Sequence, residues 1–183
     1  MSQRSKYENR NPLHQYLLRR FLTSATNAFL ATGQRRIVEI GCADGYVYEF
    51  LRTHSGVDFE YQGYDVDGAA LAEARRRFPT TRFEHGSIYE VKAAADVILC
   101  LEVLEHLTEP AEAVKRLAAM PASYVIVSVP HEPWFRLGNL ARGRHIGTLG
   151  NLPDHLNAWN KNTLERCWRP SSRSSATSHP FPG

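Results

Sequence analysis

The sequence predicts an α/β fold in which helices cover both faces of a doubly wound, mostly parallel sheet. Short apolar segments alternate with longer amphipathic ones between residues 36 and 130, the order expected of consecutive strand–helix–strand units. In addition, the run Val97–Leu101 is wholly apolar, which is typical of a parallel strand buried on both of its faces. The length of 183 residues fits one domain.

The first predicted element is a helix over residues 12–31, where apolar residues recur at spacings of three and four until Gly33 ends the pattern. Five strands are predicted after it, at residues 36–40, 59–65, 82–85, 97–101 and 124–129. Helices are predicted between them at residues 46–53, 68–77 and 110–120. Asp67 is the predicted N-cap of the middle helix, and Thr108 that of the last, with Pro110 as its first residue.

Charge and composition restrict the class of protein. The formal net charge is +3 and the hydrophobic fraction is 43%, which permits an anionic substrate without requiring a nucleic acid. Residues 1–10 are polar and the apolar runs are strand-length, so we expect a cytoplasmic protein with no membrane partner. The three cysteines show no C-x-x-C spacing and are expected to be reduced thiols.

A glycine-containing loop, Glu39–Gly45, joins the first predicted strand to the helix after it. Gly41 and Gly45 allow a sharp turn and a close approach to a ligand. A dinucleotide site requires G-x-G-x-x-G, but Ala43 and Tyr46 occupy its second and third glycine positions. The acidic side chains of the loop also disfavour a pyrophosphate. They favour a ligand that carries an ammonium and a sulfonium.

Asp65 closes the second predicted strand, 20 positions after Gly45. The carboxyl ends of parallel strands meet at one edge of a sheet, so Asp65 is expected beside the loop. A carboxylate there can accept hydrogen bonds from both hydroxyls of a ribose. Because dinucleotides and adenosyl ligands both carry ribose, Asp65 is informative only together with the loop.

Four segments in order resemble the motif series of class I S-adenosylmethionine-dependent methyltransferases: Ile37–Gly45, Gly63–Asp65, His85–Ser87 and Asp96–Leu107. The last, DVILCLEVLEHL, is most similar to a bacterial group with EVLEH after strand four. The resemblance covers about residues 7–165. It implies a Rossmann-like fold, S-adenosyl-L-methionine as the cofactor and an enzyme that transfers methyl groups.

The resemblance also implies a set of site residues. The methionine part of the cofactor would be surrounded by Glu39, Gly41, Ala43 and Gly45. The ribose would be held by Asp65, and the adenine would be flanked by Val66, Gly86, Ser87 and Ile88, with Leu101 under the ligand. Two positions depart from the family pattern: Ala43 replaces a usual glycine, and Ser87 replaces a usual aspartate that accepts from the adenine amino group.

The EVLEH segment supplies the candidate catalytic residue. Glu102, Glu105 and His106 are spaced to share one face of a helical turn. His106 is a candidate base for a hydroxyl acceptor, because an imidazole titrates near neutral pH. Enzymes that methylate the 2′-hydroxyl at small-RNA 3′ ends use such a trio plus a later histidine, here His155, to hold a divalent metal. Metal-free small-molecule methyltransferases carry the same pattern, so no metal site is predicted.

The domain organisation follows from the resemblance: an N-terminal helical segment at 1–35, the cofactor-binding core at 36–130, a substrate-side insert at 131–166 and a disordered tail at 167–183. The insert's aromatic and arginine side chains either grip the substrate or form a small core with a solvated face. The family sheet has seven strands, yet a Ser/Arg/Pro-rich run follows Glu165, which indicates a frameshift or truncation near Arg166 and the loss of the last two strands.

The sequence therefore predicts methyl transfer from S-adenosylmethionine to a small-molecule oxygen, nitrogen or carbon acceptor, with no obligate protein partner. Two alternatives remain open. One is a metal-dependent RNA 2′-O-methyltransferase, and the other is a non-catalytic or defective cofactor-binding domain, motivated by Ser87 and the missing strands.

Overall fold

The computed structural model describes residues 11–128. It contains four α-helices, α1 (Pro12–Ala31), α2 (Tyr46–His54), α3 (Gly68–Arg77) and α4 (Pro110–Ala119). The strands are β1 (Arg36–Ile40), β2 (Glu60–Asp65), β3 (Arg82–His85), β4 (Val97–Leu101) and β5 (Tyr124–Ser128), and a 3₁₀ turn spans Leu104–His106. The predicted order of strands and helices is confirmed, with bounds that differ by at most one residue where both ends are described.

All five strands are parallel, in the order β3-β2-β1-β4-β5. The chain builds outward from β1 to β3 on one side and then crosses back to place β4 on the other side of β1. The strand order therefore reverses between β1 and β4. In sheets of this kind a crevice opens beyond the carboxyl ends of the two strands at that point.

Each strand presents alternate residues to the two faces of the sheet. Ile37 and Leu99 pack with α1 and α2 on one face, whereas Val38 and Ile98 pack with α4 on the other. Helix α3 lies beside α2, since the Tyr48 ring of α2 meets Phe78 after α3 at a centroid distance of 5.0 Å. Burial on both faces accounts for the wholly apolar β4.

The helix starts show which capping predictions hold. Asp67 caps α3 as predicted, since its Oδ1 accepts from the backbone N–H groups of Ala69 at 2.9 Å and Ala70 at 3.1 Å. The prediction of Thr108 as the cap of α4 is wrong. Glu109 occupies the N-cap position, makes no side-chain cap bond, and is followed by Pro110. Proline at the first helical position removes one of the donors that a cap would satisfy.

Several predictions fall outside the described residues: the insert at 131–166, the tail at 167–183, the frameshift near Arg166 with its two lost strands, and His155. Within residues 11–128, no helix combines the length and the apolarity that a membrane crossing requires.

Candidate functional site

A cleft opens at the carboxyl ends of β1 and β4, where the strand order reverses. Its walls are formed by Phe21, Glu39, Gly41, Cys42, Ala43, Tyr46, Val47, Leu101 and Glu102. Four of the predicted site residues therefore meet in one cleft: Glu39, Gly41, Ala43 and Leu101.

The loop after β1 is held in a conformation that needs its glycines. Gly41 has a φ of 84° and Gly45 a φ of 80°, in the left-handed region that disfavours other residues. The backbone N–H groups of Gly41 and Cys42 both donate to the carbonyl oxygen of Tyr64, at 2.7 and 3.0 Å. A Cβ on Gly41 would lie 2.3 Å from Cγ2 of Val103. The loop is therefore fastened to the end of β2 and packed against the segment after β4.

Asp65 braces this loop from the end of β2. Its Oδ2 accepts from the N–H of Ala43 at 2.7 Å, and its Oδ1 accepts from the N–H of Asp67 at 2.8 Å. Ala43 has a φ of 46°, a conformation that costs a non-glycine residue about 1–3 kcal/mol. A hydrogen bond to a charged acceptor is worth about 1.5–3 kcal/mol, enough to offset that cost. Each carboxylate oxygen retains a second acceptor direction for a ligand hydroxyl.

Glu39 is a buried acid in the wall of the cleft. Its side chain is 1% exposed, and its Oε2 accepts a hydrogen bond from the hydroxyl of Tyr61. Burial raises the pKa of Glu39 to about 8, and the nearby charge of Asp65 adds to the rise, while the Tyr61 hydrogen bond opposes it. Because burial makes this carboxylate costly to ionise, a cation that enters the cleft would be favoured beside it.

The N-terminus of α2 packs closely against its neighbours. A Cβ on Gly45 would lie 3.1 Å from ring atoms of Phe78 and Phe83. Asp44 faces α3, where Nη1 of Arg77 lies 3.6 Å from its Oδ2 and donates to its carbonyl oxygen at 3.1 Å. Arg77 thus offsets the charge of Asp44, whereas Glu39 faces the cleft.

The residues assigned to the adenosine part lie beside the cleft, at the ends of β2 and β3, and are not among its walls. Val66 is 62% exposed, and Gly86 is tied to Asp65 by a backbone hydrogen bond of 2.9 Å. The hydroxyl of Ser87 accepts from the N–H of Tyr89 at 3.3 Å. Ile88 is 4% exposed and packs in the core cluster on the α4 face of the sheet.

The prediction that Glu102, Glu105 and His106 share one helical face is wrong. Only Glu105 and His106 belong to the 3₁₀ turn, and Glu102 precedes it with a φ of 57°. Glu102 adopts this left-handed conformation directly after the end of β4. Its N–H donates to the hydroxyl of Ser128 at 3.0 Å, and that hydroxyl donates to its Oε1 at 3.0 Å.

Glu105 and His106 accordingly lie in an element that does not include Glu102. The Glu105 side chain is 1% exposed, and the Nε2 of His106 lies 3.9 Å from its Oε1. His106 is not among the residues that line the cleft. Among residues 11–128, no three histidine, cysteine or acidic side chains converge on a position that could hold a metal.

Five residues of the cleft wall were not predicted from the sequence as ligand contacts: Phe21, Cys42, Tyr46, Val47 and Glu102. In the sequence, Phe21 is one of several apolar positions of α1, and nothing marks it as a residue of the cleft wall. Tyr46 follows Gly45 directly, so its place at the start of the helix was the available signal.

Comparison with known proteins gives a family. The family model described as "Methyltransferase domain" matches residues 10–171. A probable S-adenosylmethionine-dependent methyltransferase of Mycolicibacterium smegmatis is 30% identical over 109 residues, which cover 57% of this chain and 41% of that protein. A ubiquinone biosynthesis O-methyltransferase of Stutzerimonas stutzeri is 24% identical over 150 residues, covering 69% of this chain and 62% of that protein. The chain thus spans about half the length of these relatives.

Solved structures agree in fold. Magnesium protoporphyrin IX methyltransferase from Synechocystis, with bound S-adenosylhomocysteine, gives a TM-score of 0.67 at 18% identity over 89% of this chain and 78% of that one. The methyltransferase domain of bacterial CtHen1-CN gives 0.65 at 21% identity, over 82% of this chain and 81% of that one. The family model covers most of the sequence, and the cleft lies at the switch point of a parallel sheet. The chain therefore belongs to the class I S-adenosylmethionine-dependent methyltransferase family.

Proposed function

We propose that this protein binds S-adenosylmethionine in the cleft and transfers its methyl group to a small-molecule acceptor. The observation that carries the proposal is the buried acid Glu39, set in a cleft whose loop is hydrogen-bonded to Asp65. A buried carboxylate gains most from a cationic ligand, because its own hydration has been lost. The ammonium and sulfonium of the cofactor supply that charge.

The proposed pose follows the motif order. Glu39, Gly41, Ala43 and Gly45 surround the methionine part, and Leu101 lies beneath it. Each carboxylate oxygen of Asp65 accepts one hydrogen bond from the backbone. The second acceptor direction of each oxygen receives a ribose hydroxyl. Val66, Gly86, Ser87 and Ile88 flank the adenine, and the 62% exposure of Val66 supports its availability to a flat ring.

The protein's task in such a reaction is alignment. When bound, S-adenosylmethionine supplies a methyl group already activated on a sulfonium. The cleft walls hold the acceptor atom in line with that carbon, which converts a bimolecular step into a unimolecular one. For a hydroxyl acceptor, we assign His106 as the base that takes its proton. The side chain of His106 is 29% exposed, and its Nε2 is buried.

The small-molecule class of acceptor is supported by relatives such as the ubiquinone biosynthesis O-methyltransferase of Stutzerimonas stutzeri. Binding is tested first, by calorimetry with S-adenosylhomocysteine. We expect one ligand per chain. Asp65→Asn should bind at least about tenfold more weakly, because the hydrogen bond to Ala43 loses its charged acceptor.

Asp96→Asn is the matched control. Asp96 precedes β4 at the opposite edge of the sheet, where it pairs with Arg36 at 3.1 Å, so this variant should bind as the unmodified chain does. Equal affinities for Asp65→Asn and the unmodified chain would refute the assigned site, and a folded chain that binds no ligand would refute the function.

Transfer is tested with S-adenosylmethionine labelled on the methyl group, added to a cell extract with and without EDTA. We expect label in the small-molecule fraction, insensitive to EDTA and, for an oxygen acceptor, strongly reduced by His106→Ala. If the label enters RNA, and does so only when EDTA is absent, the metal-dependent RNA methyltransferase alternative is favoured instead. Ligand binding with no transfer to any fraction would favour the non-catalytic alternative.

A further inference from the structure

Tyr61 approaches the cleft acid from the neighbouring strand. Its register partner on β1 is Ile37, which places Tyr61 diagonally across from Glu39 on the same face of the sheet. The residue directly opposite Glu39 is Gly63, which has no side chain to intervene. The Tyr61 hydroxyl accordingly donates to Oε2 of Glu39. Nothing in the motif series assigns a role to Tyr61.

We propose that Tyr61 is a positioning residue for the cofactor cation, whose hydroxyl lowers the cost of ionising Glu39 so that this carboxylate can pair with the ammonium of the ligand. The proposal deepens the proposed function and rests on it. Tyr61 itself lies outside the cleft wall and acts only through Glu39.

The electrostatic surroundings of Glu39 show why such a donor is needed. The groups packed around it are mostly acidic or neutral, and each negative charge opposes ionisation. They are Asp65 from β2, Glu102 after β4, the thiols of Cys42 and Cys100, and Tyr46 from α2. The cations that act on Tyr46 are Arg19 of α1 and Arg77 of α3. Burial and the Glu39 charge raise the pKa of Tyr61 well above its ordinary value, so its hydroxyl keeps the proton that it donates.

A consequence is that ligand binding is coupled to a proton. With a pKa of about 8, Glu39 is mostly protonated at pH 7 before the ligand arrives. Pairing with an ammonium requires the carboxylate, so the proton passes to the buffer when the ligand binds. Affinity should therefore rise from pH 6.5 to a plateau above the pKa of Glu39.

Replacement of Tyr61 shifts this profile. A hydrogen bond to a charged group is worth about one to two pKa units, so Tyr61→Phe should raise the pKa of Glu39 by that amount. At pH 7 the variant should bind S-adenosylhomocysteine roughly 10-fold to 100-fold more weakly, since each added unit of pKa costs a factor of ten there. The difference should shrink as the pH rises to 9.5.

Tyr48→Phe is the matched control. Its ring lies 4.7 Å from the Tyr61 ring in the same aromatic cluster, but its hydroxyl accepts from Thr81 at 2.9 Å and does not bond Glu39. This variant should follow the profile of the unmodified chain. The titration of the ligand's own amino group is common to all three proteins and cancels between them.

The experiment is calorimetry with S-adenosylhomocysteine from pH 6.5 to 9.5, and at pH 7 in two buffers of different ionisation enthalpy. We expect the unmodified chain to release close to one proton at pH 7, a readout that needs no variant to fold. Binding without proton release, or a Tyr61→Phe loss that is the same at every pH, would overturn this inference alone. No binding by the unmodified chain would overturn the proposed function and the inference with it.

Discussion

The contact between Gly41 and Val103 makes the loop after β1 intolerant of even one added methyl group. At Gly41 two effects act together: the φ of 84°, and the separation of only 2.3 Å that an added Cβ would have from Val103. A left-handed conformation costs an alanine about 1–2 kcal/mol, and overpacking in a filled site costs about 1–3 kcal/mol. We therefore expect Gly41→Ala to lower the free energy of unfolding by about 2–5 kcal/mol.

Gly56→Ala separates the two causes. Gly56 has a φ of 69°, but no atom lies within 4 Å of the position of its Cβ. It should lose only the conformational part, about 1–2 kcal/mol. The steric part of the Gly41→Ala cost comes from the Val103 side chain. In a Val103→Ala background, the cost of Gly41→Ala should therefore fall towards that of Gly56→Ala.

Urea unfolding followed by circular dichroism measures the unmodified chain, the three single variants and the Gly41→Ala/Val103→Ala double variant, with equal m-values as the test that the midpoints report stability. If Gly41→Ala and Gly56→Ala lose the same free energy, or if Val103→Ala leaves the cost of Gly41→Ala unchanged, then the close packing of this loop against Val103 is not what requires glycine.

Three further predictions concern other parts of the fold. Folding raises the Glu39 pKa from 4.5 to about 8, so its contribution to stability is complete below the lower value and is lost as the pH rises through the upper one. Between pH 5.5 and 8 the unmodified chain should lose about 3 kcal/mol relative to Glu39→Gln in urea unfolding, and parallel pH profiles would contradict this. Asp67→Ala should cost about 1 kcal/mol by thermal unfolding, through the lost cap of α3, whereas alanine at exposed Asp58 should be neutral. Burial raises the thiol pKa of Cys42 and Cys100, so iodoacetamide should label them, as mapped by mass spectrometry, only after unfolding; rapid labelling of the native chain would show that they are accessible.

Short patterns in the sequence predicted the helices and strands well, because the interactions that form these elements involve residues close together in the chain. The wholly apolar Val97–Leu101 became the doubly covered β4, and Asp67 became a cap because its side chain needs only the next turn of backbone. Thr108 failed for the same kind of reason. The N-cap directly precedes the first helical residue, so with Pro110 in that place the cap position falls on Glu109 and not on Thr108.

Part of the candidate site was also predictable from the sequence, and part was not. The glycine loop and Asp65 were identified from their order and from the rule that ligands bind at the carboxyl edge of a parallel sheet. Their bond to each other was not, since the 2.7 Å contact between Asp65 and the N–H of Ala43 joins residues 22 positions apart. The EVLEH face was mispredicted because helical spacing was assumed where Glu102 turns left-handed against Ser128.

The sequence by itself determined the family, the order of strands and helices, and which loop follows the first strand at the carboxyl edge of the sheet, because periodicity, glycine spacing and motif order are properties of neighbouring residues. Only the tertiary structure decided which side chains meet. Phe21 is part of the cleft wall because α1 packs against the sheet there. The Tyr61 hydroxyl donates to Glu39 because of the register between β2 and β1. Such contacts depend on how separate elements pack together, and the spacing of neighbouring residues in the sequence does not specify that packing.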